Sequence, residues 1–252
     1  MSLDHAPVGP LGQVLPSLRT MVRRLPGMAR TTVRYLRETR PAMHHEVVDC
    51  AGPPPALGAG GALPGDAGTV LPMSSGCGPV YRRIYQVEVD DARIGAEDLI
   101  SRLLADPNRV SPTEVVTFRR LRRRRRAGAS RRTAARAVGT EFEVDMPGPW
   151  DALVRVVDRT PTSFRLATLR GHMEAGEIEF RASEQPGGRL LFQVESVARS
   201  ADRMMHLLYD RLRLTREMQM HMWVAVCLGV VDLAGGQLRN RVHVTTYRHV
   251  EA

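Results

Sequence analysis

Apolar and polar residues alternate with period two in seven runs: 81–89, 113–121, 138–146, 153–158, 163–172, 176–183 and 189–198. Each run has strand length, and strict alternation makes one face apolar. Between the first two lies 94–105, where Leu99, Ile100, Leu103 and Leu104 share one helical face before Asp106-Pro107 stops the turn. After the last run the period changes to that of a long helix, 201–232. Ser200 is placed to cap it, and Asp202 in its first turn suits the helix dipole. Met205, Leu208, Leu212, Thr215, Gln219, Met222 and Val226 make one face, bordered by Met204, Met218 and Trp223, and Gly235-Gly236 ends the helix. The pattern predicts an α+β domain: a seven-stranded curved antiparallel sheet wrapped around a long C-terminal helix.

A sheet with one covered face alternates apolar-in and polar-out. Ile178, Phe180 and Ala182 are one inward set, and Leu190, Phe192 and Val194 are the next. On the run 163–172 the inward set is Phe164, Leu166 and Thr168, and by the same period Arg170 and His172. Polar residues therefore continue an apolar face at its end, as at a pocket mouth.

The flanks differ from this core. Residues 1–49 form an Arg-rich arm with two short helical candidates, 12–24 and 28–39, suited to packing on the main domain or to a partner or membrane surface. Residues 50–78 are dominated by glycine and proline and read as a linker. The main domain spans 79–234. The tail 235–252 alternates over 238–247 and can add a strand, here or in a partner subunit of a homodimer.

Composition narrows the chemistry. The net charge of +9 is concentrated in 19–40 and 119–136, leaving a net negative remainder. Every basic residue is Arg, which excludes lysine imine chemistry and a phosphate-loop lysine. Three widely spaced Cys fit neither a zinc site nor a disulfide framework, and a reducing cytoplasm is the expected compartment. His44-His45-Glu46 lacks further ligands at metal spacing, so neither metal nor cofactor is expected. No apolar run reaches membrane-spanning length. No G-x-S-x-G or G-x-G-x-x-G follows a strand, which disfavours serine hydrolases and dinucleotide enzymes.

Strand order and motifs carry a resemblance. One strand, a helix, six strands and a long helix resemble the helix-grip fold of the START-like, pollen-allergen-like (SRPBCC) superfamily. Gly171-His172-x-x-x-Gly176-Glu177-x-x-Phe180, then Glu195-Ser196-x-x-Arg199 and a helix carrying Gln219, resemble a domain-of-unknown-function family with a G-H-x-x-x-G-E signature. The resemblance covers about 80–231. It implies an apolar cavity between sheet and C-terminal helix, in a superfamily that binds lipids, hormones or polyketides and in places catalyses cyclisation, dehydration or condensation. The family itself implies no particular reaction.

Candidate chemistry follows. His172 and Glu174 share a strand face if alternation continues, and a His–carboxylate pair can act as general base or acid. The alternative is a polar cluster in which Glu174 or Glu177 pairs Arg170 or Arg199. Trp150, Met205, Tyr209, Met218, Gln219 and Trp223, with Arg170, Glu177 and Arg199, form the candidate ligand-binding set; Met adapts to irregular apolar shapes. Gln219 on a buried face needs a partner. Arg122, Arg123, Arg124, Arg125 and Arg126 suit an anionic surface or an acidic carrier protein, and the scarcity of aromatics beside them argues against nucleic acid. Three functions stay open: binding of a small apolar molecule, cyclase- or dehydratase-type catalysis on a secondary-metabolite intermediate, and a regulatory or nucleic-acid-associated role through the arginine run.

Overall fold

The structure, a computed structural model, describes residues 41–54, 57, 69–113, 116–121, 137–146, 152–202 and 213–250, with Val33 and Arg37; the side chains of 213–218 and Val250 are not part of that description. The expected arm helices, linker residues 55–56 and 58–68, Trp150, Met205, Tyr209 and 122–126 lie outside it, as does the side chain of Met218. Ten strands are present among the described residues: β1 (Met43–Ala51), β2 (Cys77–Asp90), β3 (Thr117–Leu121), β4 (Glu141–Asp145), β5 (Ala152–Arg159), β6 (Ser163–Thr168), β7 (Glu174–Gln185), β8 (Arg189–Ser200), β9 (Gln237–Leu238) and β10 (Val242–Val250). Helix α1 is Ala96–Ala105 and α2 is Arg213–Ala234. No helix among these residues is long and apolar enough to cross a membrane.

The fold is a sheet-dominated α+β domain with few helices. All ten strands join one curved sheet in the order β1-β10-β2-β8-β7-β6-β5-β4-β3, with β9 added beside β2. The seven expected strands are β2 to β8, and they are contiguous. The count of seven falls short by three: β9 and β10, from the tail, both pair with β2, and β10 carries β1 in parallel on its outer edge. Strand β1 crosses the expected arm–linker boundary at residue 49. No alternating run announces it: MHHEVVDCA is polar on both faces and exposed along most of its length.

The inward sets fall where period two places them. Phe164, Leu166, Phe180, Ala182, Leu190, Phe192 and Val194 are buried in the main core, with Ile178 packed against it. Phe164 stacks on Phe180 at 4.6 Å between ring centroids. Strand β2 supplies Tyr85, Val87 and Val89 to the same core, and α1 supplies Leu99, Ile100, Leu103 and Leu104. Asp98 and Glu97 occupy the first turn of α1, favourably for its dipole. Beyond α1, Asn108 acts as a surrogate strand neighbour for β3: its Oδ1 accepts from the Phe118 N–H at 2.7 Å and its Nδ2 donates to the Phe118 carbonyl at 2.8 Å.

Helix α2 departs from the expected one-sided pattern. Met220, His221, Met222, Trp223, Val224, Val226, Cys227, Val230 and Val231 are all buried, so the helix is covered around most of its circumference. It packs on β2, β8, β9 and β10. At Gly229 it also meets the loop after α1 so closely that a Cβ would lie 2.6 Å from the Val110 carbonyl oxygen. Its end matches expectation. Gly235 at φ +67° closes a Schellman-type cap, with its N–H on the Asp232 carbonyl at 3.0 Å and the Gly236 N–H on the Val231 carbonyl at 3.4 Å.

The opposite, convex face carries a second small cluster. Leu57, Val80 and Val197 are buried together with Met73 against them. Chain from the glycine- and proline-rich segment thus lies on the sheet, and Leu71 N–H reaches the Thr168 carbonyl at 2.9 Å.

Candidate functional site

The G-H-x-x-x-G-E segment is the connection that turns β6 into β7. Strand β6 stops at Thr168, four residues short of the expected run. Gly171 takes φ +92°, a conformation that ends the alternation. Arg170 is consequently exposed rather than inward, and its backbone N–H bonds the Thr69 carbonyl at 2.9 Å. At the far side of the turn Gly176 lies against β8, where a Cβ would fall on the Val197 carbonyl oxygen and the Ala198 backbone. The Thr168 hydroxyl accepts from the Gly176 N–H at 3.1 Å and lies 3.1 Å from its carbonyl oxygen. A side chain there extends the β6–β7 ladder by one step.

Strand β7 then restores the two-residue period, and its two glutamates separate. Glu174 shares the phase of Ile178, Phe180 and Ala182 and faces α2. Its Oε2 accepts from Gln219 Nε2 at 2.9 Å. Gln219 Oε1 in turn accepts from Arg83 Nη1 at 3.0 Å. Arg83 is only 3% exposed and stacks over the Tyr81 ring at 5.0 Å. A continuous polar chain, Arg83–Gln219–Glu174, therefore joins β2, α2 and β7 at the end of the apolar face. The partner that Gln219 requires is provided twice, by a cation and by a carboxylate.

Glu177 has the opposite phase and lies on the convex side. It pairs with the buried Arg165 at 3.0 Å, not with Arg170 or Arg199. Loss of hydration holds its carboxyl above the usual range; Arg165 works against that rise, and nearby Asp158 adds to it. Arg199 is on the convex side too, where its Nε donates to the Gly78 carbonyl at 3.0 Å.

His172 is half-buried beside Glu174, but the two side chains form no His–carboxylate hydrogen bond. The ring Nδ1 lies 3.0 Å from both the backbone N and the carbonyl O of Glu174. A neutral ring with its proton on Nε2 accepts from that N–H. Burial is the largest influence and lowers the His172 pKa; the Glu174 carboxylate and carbonyl oppose it. Burial thus favours the neutral ring.

One turn along α2 from Gln219 is Trp223, 8% exposed, whose ring meets Phe180 edge-on at 5.6 Å. Its indole Nε1–H is buried and has no hydrogen-bond partner among the described residues. The structure therefore brings Glu174, Gln219 and Trp223 together, keeps His172 at their margin, and sends Arg170, Glu177 and Arg199 elsewhere. The residue that sequence reasoning missed is Arg83. Its signal was present, because Arg83 falls in phase with Tyr85, Val87 and Val89, a cation extending an apolar set. Among the described residues no group of three or more His, Cys, Asp or Glu is placed to hold a metal ion.

This fold and site define a class: an α+β domain whose curved sheet packs its apolar face on helices and closes one end with a buried polar chain. The chain belongs to the family described as Domain of unknown function (DUF1990), whose model matches residues 102–227, half of its length. That span begins inside α1 and ends inside α2, and it contains the whole G-H-x-x-x-G-E turn. No curated protein matches the chain. Among solved structures, a START superfamily protein from Mycobacterium smegmatis is similar at 17% identity and a TM-score of 0.42, covering 62% of this chain and 99% of its own. A Thalictrum norcoclaurine synthase point mutant in complex with a transition-state analogue shows 12% identity and a TM-score of 0.41, over 62% of this chain and 98% of its own. A conserved protein from Geobacillus kaustophilus shows 9% identity and a TM-score of 0.40, over 64% and 99%.

Proposed function

We propose that this protein binds a small, largely apolar molecule between the concave face of the sheet and α2, and that one polar atom of the ligand accepts a hydrogen bond from Trp223. The observation that carries the reading is the buried indole N–H without a partner. Leaving such a donor unsatisfied costs about 1–3 kcal/mol, a penalty that a ligand acceptor removes. Phe180 meets its ring edge-on, Phe164 stacks on Phe180, Ile178 and Met222 belong to the same apolar core, and Gln219 lies one turn away.

Native mass spectrometry of freshly purified protein tests the proposal directly. A bound small molecule, lost or weakened about 2- to 10-fold in a Trp223→Phe variant, is the expected result. A chain that carries nothing, and that takes up no apolar probe such as 8-anilinonaphthalene-1-sulfonate, overturns it.

A catalytic reading has one observation in its favour. The His172 ring lies against Glu174, with Nδ1 3.0 Å from its backbone, and burial favours the neutral form that can take a proton. In that reading the pair assists cyclisation or dehydration of the bound molecule. A captured ligand that stays chemically unchanged equally in wild type and His172→Ala speaks against it.

A further inference from the structure

The two edges of the sheet are built differently. At one edge β3 has five residues, TFRRL, and leads directly into the arginine run, so charge and brevity guard it against pairing. At the other, β1 has nine residues and neither Pro, Lys nor Arg. Its inner side is occupied by β10 in parallel. Among the described residues nothing pairs with its outer side. Val47 and Val48 are 63% and 39% exposed, two of the few large apolar side chains left in water among the described residues. A long, uncharged-to-mildly-acidic edge with exposed valines is a template for another strand.

We propose that the occupant is β1 of a second copy, paired antiparallel on a two-fold axis through Val47. Alternate residues of a strand direct their backbone groups to the same edge. Two identical strands related by a two-fold axis therefore pair residues of the same parity, and the axis passes through a residue. Three registers keep most of β1 paired. An axis at Glu46 sets two carboxylates face to face. An axis at Val48 puts Val47 opposite Asp49 and leaves Met43 and His44 beyond the partner strand's end. An axis at Val47 pairs all nine residues: Val47 meets Val47, His45 meets Asp49 twice, and Glu46 meets Val48. Directly opposed unlike pairs stabilise a ladder and like charges destabilise it, so the sequence MHHEVVDCA is self-complementary in that register alone. The two curved sheets become one continuous sheet. The ligand site at α2 is left as it is in each copy, because β1 lies two strands away from β2.

Light scattering after gel filtration of the full chain reads the mass. Wild type is expected at twice the chain mass across the micromolar range, and Val47→Lys at the single mass with unchanged far-UV circular dichroism. Since Val47 is exposed in the single chain, the substitution leaves the fold intact. The register is read by oxidation in a Cys50→Ala, Cys77→Ser background. Val47→Cys then forms a covalent dimer, because directly opposed Cβ atoms are about 4.5–5.5 Å apart, and Glu46→Cys forms it far more slowly. A wild-type chain that stays single, as when its own N-terminal segment covers the edge, overturns the proposal. So does a doubled mass that survives Val47→Lys, or a Glu46→Cys cross-link that outpaces Val47→Cys.

Discussion

Replacing Gln219 by Leu removes the link between Arg83 and Glu174 while keeping a side chain of similar length. Two hydrogen bonds are lost, at 3.0 Å to the guanidinium and at 2.9 Å to the carboxylate. A hydrogen bond to a charged group is worth about 1.5–3 kcal/mol, and a buried group left unsatisfied bears its desolvation cost. Arg83 retains its stack on Tyr81, and Glu174 is half-buried and regains some water, so the two losses do not add in full. The expected cost is about 2–3 kcal/mol, or roughly 5–10 °C in Tm for a chain of this size. Urea unfolding followed by circular dichroism measures it, with the midpoint falling and the slope unchanged. Combining Gln219→Leu with Glu174→Ala gives a second readout: the double variant should cost less than the two single changes together, by about 1 kcal/mol. A Gln219→Leu protein within about 0.5 kcal/mol of wild type, or strict additivity in the cycle, refutes the bridging role.

Other outcomes follow from the same geometry. Phe180→Ala removes a ring stacked on Phe164 and touching Trp223, and should cost about 3–5 kcal/mol in urea unfolding. Gly176→Ala should abolish soluble expression or cost several kcal/mol, because the added methyl meets β8 backbone. Gly187→Ala, in the β7–β8 turn at φ +84° with open space around it, should cost only about 1–2 kcal/mol. The pH dependence should carry two opposed contributions. The lowered His172 pKa means that the unfolded chain binds the extra proton, so its contribution is fully present above the ordinary value of 6.5 and is lost as pH falls below it. The raised Glu177 pKa means that the folded chain holds the proton, so its contribution is present below the ordinary 4.5 and is lost as pH rises. Relative to wild type, His172→Gln should therefore tilt the stability profile between about pH 4.5 and 6.5 toward falling with rising pH, and Glu177→Gln toward rising. Urea midpoints across the range would show profiles identical to wild type if neither group is coupled to folding.

Much of this protein is determined locally. Period two identified the inward residues of β6, β7 and β8, because each is set by the pleat of its own strand. Helical spacing located α1, Gly235 marked the end of α2, and the G-H-x-x-x-G-E motif named the family. What only the tertiary structure decided depends on neighbours distant in sequence. Period two cannot say where a strand stops, so Arg170 and His172 were assigned to a face that Gly171 ends. The partners of the charged residues follow from strand adjacency. Glu177 meets Arg165 across β6 and β7, whereas Arg83 meets Gln219 across 136 positions of sequence. Strand β1 has no amphipathic signature, since its place is secured by backbone pairing with β10 and both its faces are exposed over 44–49. Alternation records which side of an element turns from water. Which element lies across from it is a property of the assembled sheet and helix, and that assembly gathers Arg83, Gln219, Glu174 and Trp223 at one end of the core.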